Sequence, residues 1–284
     1  MTDPVEIVEV GPRDGLQNEA RPIPTAEKVA LIDLLSTAGF RRIEAAAFVS
    51  PRWVPQMADG AEVMAAIRRA PGVRYAALAP NVRGLERALA AGADEVAIFV
   101  SASEGFSRAN LNASVNESFE RLAPVADGAL AAGAALRGYV SCVTDCPFDG
   151  RVAPAEVARV TDRLLGMGCG EVSLGDTVGR GVPESVDAML GAVLAVAEPG
   201  RLAGHFHDTG GRALVNVEVA LARGLRVFDA SAGGLGGCPY APGAAGNVPT
   251  EALARRLEAL GFATGLDLAV LDRAAALARG MRAG

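Results

Sequence analysis

Several features are scarce in this chain of 284 residues, and each scarcity argues against a class of protein or of partner. Four cysteines, without the paired spacing of a zinc site, argue weakly for disulfides, so we expect a reducing compartment, the cytoplasm. Positive charge is not in excess: the net charge of -6 argues against nucleic acid or an anionic membrane as partner. Apolar runs are too short to span a membrane, and a strand predicted from Val5 leaves no room for a signal peptide.

Short apolar runs alternate with longer amphipathic segments along the whole chain. Eight strand–helix units predict a closed α/β barrel, the (β/α)8 TIM barrel, as one domain over 1–284 with a short extra C-terminal helix. A doubly wound open sheet is the alternative. The predicted strands are Val5–Val10, Arg42–Val49, Val73–Ala79, Glu95–Val100, Leu136–Val143, Glu171–Leu174, Arg201–Phe206 and Val227–Ser231. The predicted helices are Ala26–Ala38, Gln56–Arg69, Val82–Ala91, Ser114–Ala132, Pro154–Met167, Pro183–Ala197, Arg212–Arg223, Thr250–Leu260 and Ala269–Arg279.

The only two histidines of the chain lie in one stretch, RLAGHFHDT, from Arg201 to Thr209. His205 and His207 are two residues apart, so on an extended strand both imidazoles point to the same side. Imidazole is the commonest protein ligand for a divalent metal. The alternative is a pair of polar residues in a turn after a buried strand, and we favour the metal site.

Polar residues recur at the carboxyl ends of the predicted strands, where barrel enzymes place their chemistry. Asp14 follows the first strand and Asn247 the eighth, and with His205 and His207 they predict a site of two imidazoles, a carboxylate and an amide oxygen. Such a donor set suits Mg²⁺ or Mn²⁺. A zinc site that uses Cys238 is the less favoured alternative.

Other polar residues are candidates for acid–base and charge-stabilising roles. Arg13 suits stabilisation of an oxyanion or enolate, or forms an ion pair with Glu44. Cys238 lies in a glycine-rich loop, and we expect this loop to bring a reactive thiol to the site. The alternative is an inert thiol on a surface loop. Asp176 joins the site or caps the loop that follows it. Glu251 supports the metal site or simply lies in the first turn of the last barrel helix.

Six motifs follow one another along the chain: VEVGPRDGLQNE at 8–19, AFVSP at 47–51, YVSC at 139–142, SLGDT at 173–177, HFHDT at 205–209 and GLGGCPYAPGAAGN at 234–247. In content, order and spacing they resemble the 3-hydroxy-3-methylglutaryl-CoA lyase family. The resemblance implies a metal-dependent barrel enzyme that cleaves this acyl-CoA thioester to acetyl-CoA and acetoacetate, and a homodimer or higher homo-oligomer. It also implies roles for single residues: Asp14, His205, His207 and Asn247 as metal ligands, Arg13 as the group that holds the thioester enolate, Cys238 as the acid–base thiol, and Glu44, Asp176 and Glu251 as supporting residues.

Three features depart from the family pattern. Gly210 stands where members have an aromatic residue, and Ala20 where many have a basic one. The chain also stops soon after the barrel. We therefore expect it to lack the C-terminal extension with a regulatory cysteine that would resemble the animal enzymes. Four other functions compete: a lyase for a bulkier 3-hydroxy-acyl-CoA, a Claisen-type synthase such as isopropylmalate synthase, a metal-dependent barrel hydrolase, and a non-catalytic binding module.

Overall fold

The computed structural model describes residues 3–237 and 246–282, and eight parallel strands close into a barrel within them. The strands are short and mostly apolar, as parallel strands covered on both faces must be. The eight barrel strands are β1 (Glu6–Glu9), β2 (Arg42–Ala47), β3 (Arg74–Leu78), β4 (Glu95–Ser101), β5 (Ala135–Ser141), β8 (Glu171–Asp176), β9 (Leu202–Phe206) and β10 (Val227–Ala230), while β6 (Asp145–Cys146) and β7 (Gly150–Arg151) form a small antiparallel hairpin.

Helices follow the barrel strands and cover the outside of the barrel. Gly39, with φ of +95°, lies in the turn after the first of them, at a point where a Cβ would meet the Gly265 carbonyl oxygen at 2.5 Å. The described helices are α1 (Thr25–Leu35), α2 (Gly60–Ala66), α3 (Val82–Ala90), α4 (Glu104–Leu111), α5 (Val115–Ala131), α6 (Pro154–Gly166), α7 (Pro183–Val193), α8 (Ala213–Ala222), α9 (Thr250–Ala259) and α10 (Leu268–Arg282).

The barrel closes through parallel pairing of β1 with β2, between Glu9 and Ile43. Around the circle, the strands follow the order β1, β10, β9, β8, β5, β4, β3, β2. This closure confirms the predicted TIM barrel and excludes the doubly wound open sheet. It also brings β1, β10 and β9 side by side, which places the histidine stretch near the end of β1.

Three predicted details were wrong. The last helix is not short, because α10 has 15 residues and its buried stripe continues as far as Met281. The predicted helix Gln56–Arg69 is shortened to α2, since Pro55–Met57 forms a separate 3-10 turn and Ile67 adopts an extended backbone. The prediction missed α4 and the hairpin, which lie between the predicted elements.

The interior of the barrel is charged rather than purely apolar. Arg42 contacts Glu6 and Glu171, both at 2.8 Å, and Glu171 in turn contacts Arg137 at 2.8 Å. Arg137 then reaches Asp229 at 2.7 Å. These four contacts form a ladder of buried and half-buried charges, which we call the interior ion ladder. Barrel interiors are usually filled by branched apolar residues, so the ladder is a distinctive feature of this chain.

Within the described part of the chain, no helix combines the length and the apolar character needed to span a membrane.

Candidate active site

A single turn of π-helix after β1, Gly11–Gly15, positions two of the predicted site residues, Arg13 and Asp14. Such turns are frequent at functional sites. The turn is anchored from below by Glu9, whose carboxylate accepts hydrogen bonds from the backbone N–H of Gly11 and of Ala232, and from the Thr250 hydroxyl, at 2.8, 3.0 and 2.8 Å. Two strands and α9 are thereby tied to the base of the turn.

Burial changes the acidity of Glu9 itself. Removal from water raises its pKa to about 7, even though its three hydrogen bonds favour the charged form.

Asp14, His205 and His207 come together as predicted. One ligand atom from each lies within 4.8 Å of the other two. The Nε2 atom of His205 is 3.9 Å from Asp14 Oδ2, and the two imidazole rings are 5.3 Å apart between centroids. Both histidines are buried, while the Asp14 side chain is 21% exposed, so the cluster opens toward solvent on the carboxylate side.

Burial and neighbouring charges change the pKa of all three residues of the cluster. Burial opposes the charge on Asp14, but Arg13, the two histidines and the hydrogen bond from Asn247 together outweigh burial and lower the pKa to about 2. Burial lowers the pKa of His207 to about 4, so its imidazole is neutral with a free lone pair. Burial also disfavours the charged form of His205, but Asp229 and Asp14 outweigh that effect and raise its pKa. A carboxylate and two imidazoles are a donor set for a divalent metal.

Three buried polar atoms at the site have no hydrogen-bond partner among the described residues. They are His207 Nδ1, Arg13 Nε and Glu44 Oε1. Native proteins pair nearly all buried polar atoms, so such a group of orphans points to a bound ligand, ion or water. The donor chemistry and these free atoms therefore fit a metal with a polar substrate beside it.

Arg13 is held by acids on two sides. Its Nη1 contacts Asp14 Oδ1 at 2.7 Å and its Nη2 contacts Glu44 Oε2 at 2.5 Å. The Tyr139 hydroxyl also donates to Glu44 Oε2, at 3.2 Å. Burial lowers the pKa of Arg13, but the charges of Glu44 and Asp14 raise it overall, so the guanidinium stays charged. The predicted ion pair of Arg13 with Glu44 is present and fixes the cation beside the cluster, while stabilisation of an oxyanion by Arg13 stays a prediction.

Asn247 lies next to Asp14, but with its amide nitrogen toward the carboxylate. Nδ2 donates to Asp14 Oδ2 at 2.8 Å and to the Leu235 carbonyl at 3.3 Å. The amide oxygen predicted as a ligand faces the cluster only after a half-turn of the side-chain amide, which exchanges oxygen and nitrogen.

Asp176 and Glu251 are engaged elsewhere. Asp176 accepts from the Thr144 hydroxyl at 2.8 Å and from the Gly181 N–H at 2.9 Å, which is the loop-capping alternative, and burial raises its pKa. Glu251 lies in the first turn of α9, where it accepts from the Gly233 N–H at 3.0 Å and pairs with Arg279 at 2.8 Å. Neither residue contacts Asp14, His205 or His207 through the hydrogen bonds found among the described residues.

Cys238 lies outside the described residues, but the segment that contains it is flanked by contacts with the site. Gly237 accepts from the Asn18 side chain at 3.1 Å, and Gly246 accepts from the Asp208 N–H at 2.8 Å. The other three cysteines, Cys142, Cys146 and Cys169, are free and buried. Burial raises the pKa of the Cys169 thiol to about 12, as is typical of an inert structural cysteine.

Gly210, one of the departures from the family pattern, lies at the exposed end of the histidine stretch. A Cβ added there would lie 2.7 Å from Arg212 Nη1 and 3.1 Å from the Gly179 carbonyl oxygen. Arg212 therefore occupies part of the space that an aromatic side chain would fill.

The sequence analysis missed the residues beneath the cluster. Asp229, Arg137 and Ser173 lie under His205, and Glu9 under the π-helical turn. The one available signal was polar residues two apart within apolar strands, as in Arg137-Gly-Tyr139, since such pairs share one face of a strand.

Comparisons with known proteins identify the family of the chain. The HMGL-like family model matches residues 4–278. "Hydroxymethylglutaryl-CoA lyase, mitochondrial" of Gallus gallus is 55% identical over 93% of this chain and 89% of its own length. The "3-hydroxy-3-isohexenylglutaryl-CoA/hydroxy-methylglutaryl-CoA lyase" of Pseudomonas aeruginosa is 54% identical over 94% of this chain and 89% of its own length. The crystal structure of the HMG-CoA lyase from Brucella melitensis superposes with a TM-score of 0.98 at 61% identity, covering 99% of this chain and 100% of that one. With the family model matching nearly its whole length, the chain belongs to the HMGL-like family.

Proposed function

We propose that the chain is a lyase that cleaves 3-hydroxy-3-methylglutaryl-CoA to acetyl-CoA and acetoacetate with the help of a divalent metal. The observation that carries the proposal is the cluster of Asp14, His205 and His207 beside the buried cation of Arg13. The names of the relatives supply the substrate class, an acyl-CoA thioester.

Asp14, His205 and His207 would hold the metal, and Asn247 would join them with its amide turned. Mg²⁺ or Mn²⁺ is our choice, because oxygen donors and imidazole suit both and the described site offers no thiolate. When bound, such an ion polarises substrate oxygens and eases loss of the hydroxyl proton.

The residues around the cluster account for the rest of the reaction. Cleavage of the carbon–carbon bond leaves a thioester enolate, and the fixed guanidinium of Arg13 is suited to bind its negative oxygen. Glu44 and Asp14 orient Arg13 from two sides. We assign delivery of the proton to the acetyl-CoA carbon to Cys238, with support from the contacts that hold both flanks of its loop at this site. Asp176 has a supporting role, as the cap of the loop after β8.

A second candidate substrate is a 3-hydroxy-acyl-CoA with a larger group than methyl at the carbinol carbon. Two points favour it: Gly210 replaces the aromatic side chain of the family pattern, although Arg212 fills part of that space, and one relative at 54% identity has a name with both a methyl and an isohexenyl substrate. The two substrates require the same chemistry and differ only in the space that they need.

We also propose a homo-oligomer, a dimer or higher, which light scattering on the purified protein measures. A reducing compartment such as the cytoplasm is in line with the three free, buried cysteines.

The function is tested by incubating the protein with 3-hydroxy-3-methylglutaryl-CoA and Mg²⁺ and following acetoacetate. We expect acetoacetate and acetyl-CoA in equal amounts, no product in excess EDTA, and recovery when Mg²⁺ or Mn²⁺ is added back. Arg13→Lys should lower kcat strongly, because the point charge of lysine replaces the planar guanidinium that contacts both Asp14 and Glu44. Arg108→Lys, at an exposed arginine of α4, is the matched control and should have no effect. Release of free CoA without acetoacetate would instead indicate a hydrolase.

A further inference from the structure

The two histidines of the cluster are supported unequally. His205 Nδ1 lies 3.1 Å from Asp229 Oδ2, so one ring nitrogen faces a carboxylate and the other, Nε2, faces Asp14. His207 Nδ1 is buried with no hydrogen-bond partner in the described part of the chain. Among the described residues, a carboxylate thus orients one imidazole, whereas no hydrogen bond to Nδ1 orients the other.

Asp229 is itself held rigidly. Its side chain is fully buried. Oδ1 accepts from Arg137 Nη2 at 2.7 Å, and Oδ2 accepts from the Ser173 hydroxyl at 2.7 Å as well as facing His205. Strand pairing sets this arrangement, because Asp229 on β10 is the register partner of His205 on β9. A carboxylate with three fixed neighbours has no freedom to turn away from the ring.

We propose that Asp229 is the positioning residue of the metal site: it holds the Nδ1–H of His205 and thereby presents the Nε2 lone pair to the metal. The inference rests on the proposed metal site and deepens it. A carboxylate behind a ligating imidazole fixes the tautomer and strengthens the donor, and loss of such a partner commonly weakens metal affinity tenfold to a hundredfold.

An asparagine at position 229 should reverse which ring nitrogen of His205 carries the proton. The amide has one oxygen, and Arg137 and His205 both need an acceptor there. Because the guanidinium is charged and always a donor, the oxygen should turn to Arg137, which leaves the amide N–H facing His205 Nδ1. His205 would then protonate Nε2 and lose the lone pair that faces Asp14.

The first measurement is the Mn²⁺ affinity of the full chain, by titration calorimetry. Asp229→Asn should weaken it roughly tenfold to a hundredfold. Ser173→Ala is the matched control, because it removes another hydrogen bond from the same carboxylate oxygen and leaves His205 untouched, and it should change the affinity far less. Equal affinity of Asp229→Asn and wild type, or an equal loss in both variants, overturns the inference. If the wild type itself binds no Mn²⁺, the proposed metal site fails instead.

The second measurement reads the tautomer directly. With only two histidines in the chain, a long-range ¹H–¹⁵N spectrum of the Mg²⁺-loaded protein contains two imidazoles. We expect Nδ1–H for His205 in wild type and Nε2–H in Asp229→Asn, with His207 unchanged as the internal reference. A purely structural role for Asp229 would leave the His205 tautomer as it is, and that result contradicts the proposal.

A paired variant covers the case in which Asp229→Asn does not fold. Asp229→Leu with Arg137→Met removes both charges together and leaves no buried ion without its counter-ion. Its folding should recover while its Mn²⁺ affinity stays low, because His205 still lacks an acceptor. Wild-type affinity in this paired variant would mean that Asp229 only balances Arg137.

Discussion

Replacing Glu9 by Gln should change how the stability of the barrel depends on pH. Glu9 is fully buried beneath the π-helical turn and its pKa is raised from 4.5 to about 7, chiefly because burial disfavours the charged carboxylate. Gln has the same shape. Its oxygen can accept from the N–H groups of Gly11 and Ala232, and its amide can donate to the Thr250 hydroxyl, so the three contacts are kept.

The direction of this pH dependence follows from the number of protons that the folded and the unfolded states bind. Between pH 4.5 and 7 the folded protein keeps the Glu9 proton and the unfolded chain has lost it, so the free energy of unfolding falls as pH rises through this window. Below pH 4.5 both states are protonated, and above pH 7 both are ionised. At 1.36 kcal/mol per tenfold change in protonation, the difference between 4.5 and about 7 corresponds to a loss on the order of 3 kcal/mol.

The assay is urea unfolding followed by far-UV circular dichroism from pH 4.5 to 8, since the single tryptophan, Trp53, is 86% exposed and reports poorly on the core. Glu9→Gln should match wild type near pH 4.5 and exceed it by about 3 kcal/mol at pH 8. Glu62→Gln, at an exposed position of α2, controls for the loss of one carboxylate. A stability difference between Glu9→Gln and wild type that stays constant across this range would refute the reasoning.

Three further predictions concern the chemistry. His207→Ala should weaken Mn²⁺ binding well over tenfold in calorimetry, because one ligand is lost, and undiminished activity in excess EDTA would contradict the metal site. Cys238→Ser should lower kcat on the order of a hundredfold with little change in KM, and near wild-type turnover would exclude the thiol as the proton donor. Gly210→Tyr, which must displace the Arg212 side chain at 2.7 Å from the new Cβ, should lower the kcat/KM ratio of a longer-chain analogue to the methyl substrate roughly tenfold. An unchanged ratio would show that this position does not set the size of the pocket.

The barrel and the metal cluster could be predicted from the sequence because their signals are local. The two-residue spacing of His205 and His207 implies a shared face, and the order of eight strand–helix units implies that strands one and seven lie close together. Asp14 then joins the histidines by topology alone. Each of these steps needs only the period of a strand and the rule that parallel strands end at one face.

The residues beneath the cluster could not be predicted in the same way. Asp229 becomes significant only when β10 and β9 are paired in register, which sets it opposite His205. Glu9 reads as an isolated acid in an apolar strand until the fold brings Ala232 and Thr250 to its carboxylate. The amide orientation of Asn247 and the turning of Asp176 toward Gly181 depend on side-chain rotation, about which residue spacing carries no information.

The interior ion ladder limits how this protein can change over evolutionary time. A single substitution at Arg137 or Asp229 breaks a fully buried ion pair, at a cost of about 3–5 kcal/mol. That cost is a large share of the free energy of unfolding of a typical protein, roughly 5–15 kcal/mol. An apolar barrel interior tolerates substitution one residue at a time by side chains of similar size. In the interior ion ladder, the tolerated change is one in which both members of a pair are replaced together. Descendants of this chain should therefore diverge on the helices first and keep the ladder intact, as pairs inherited as units.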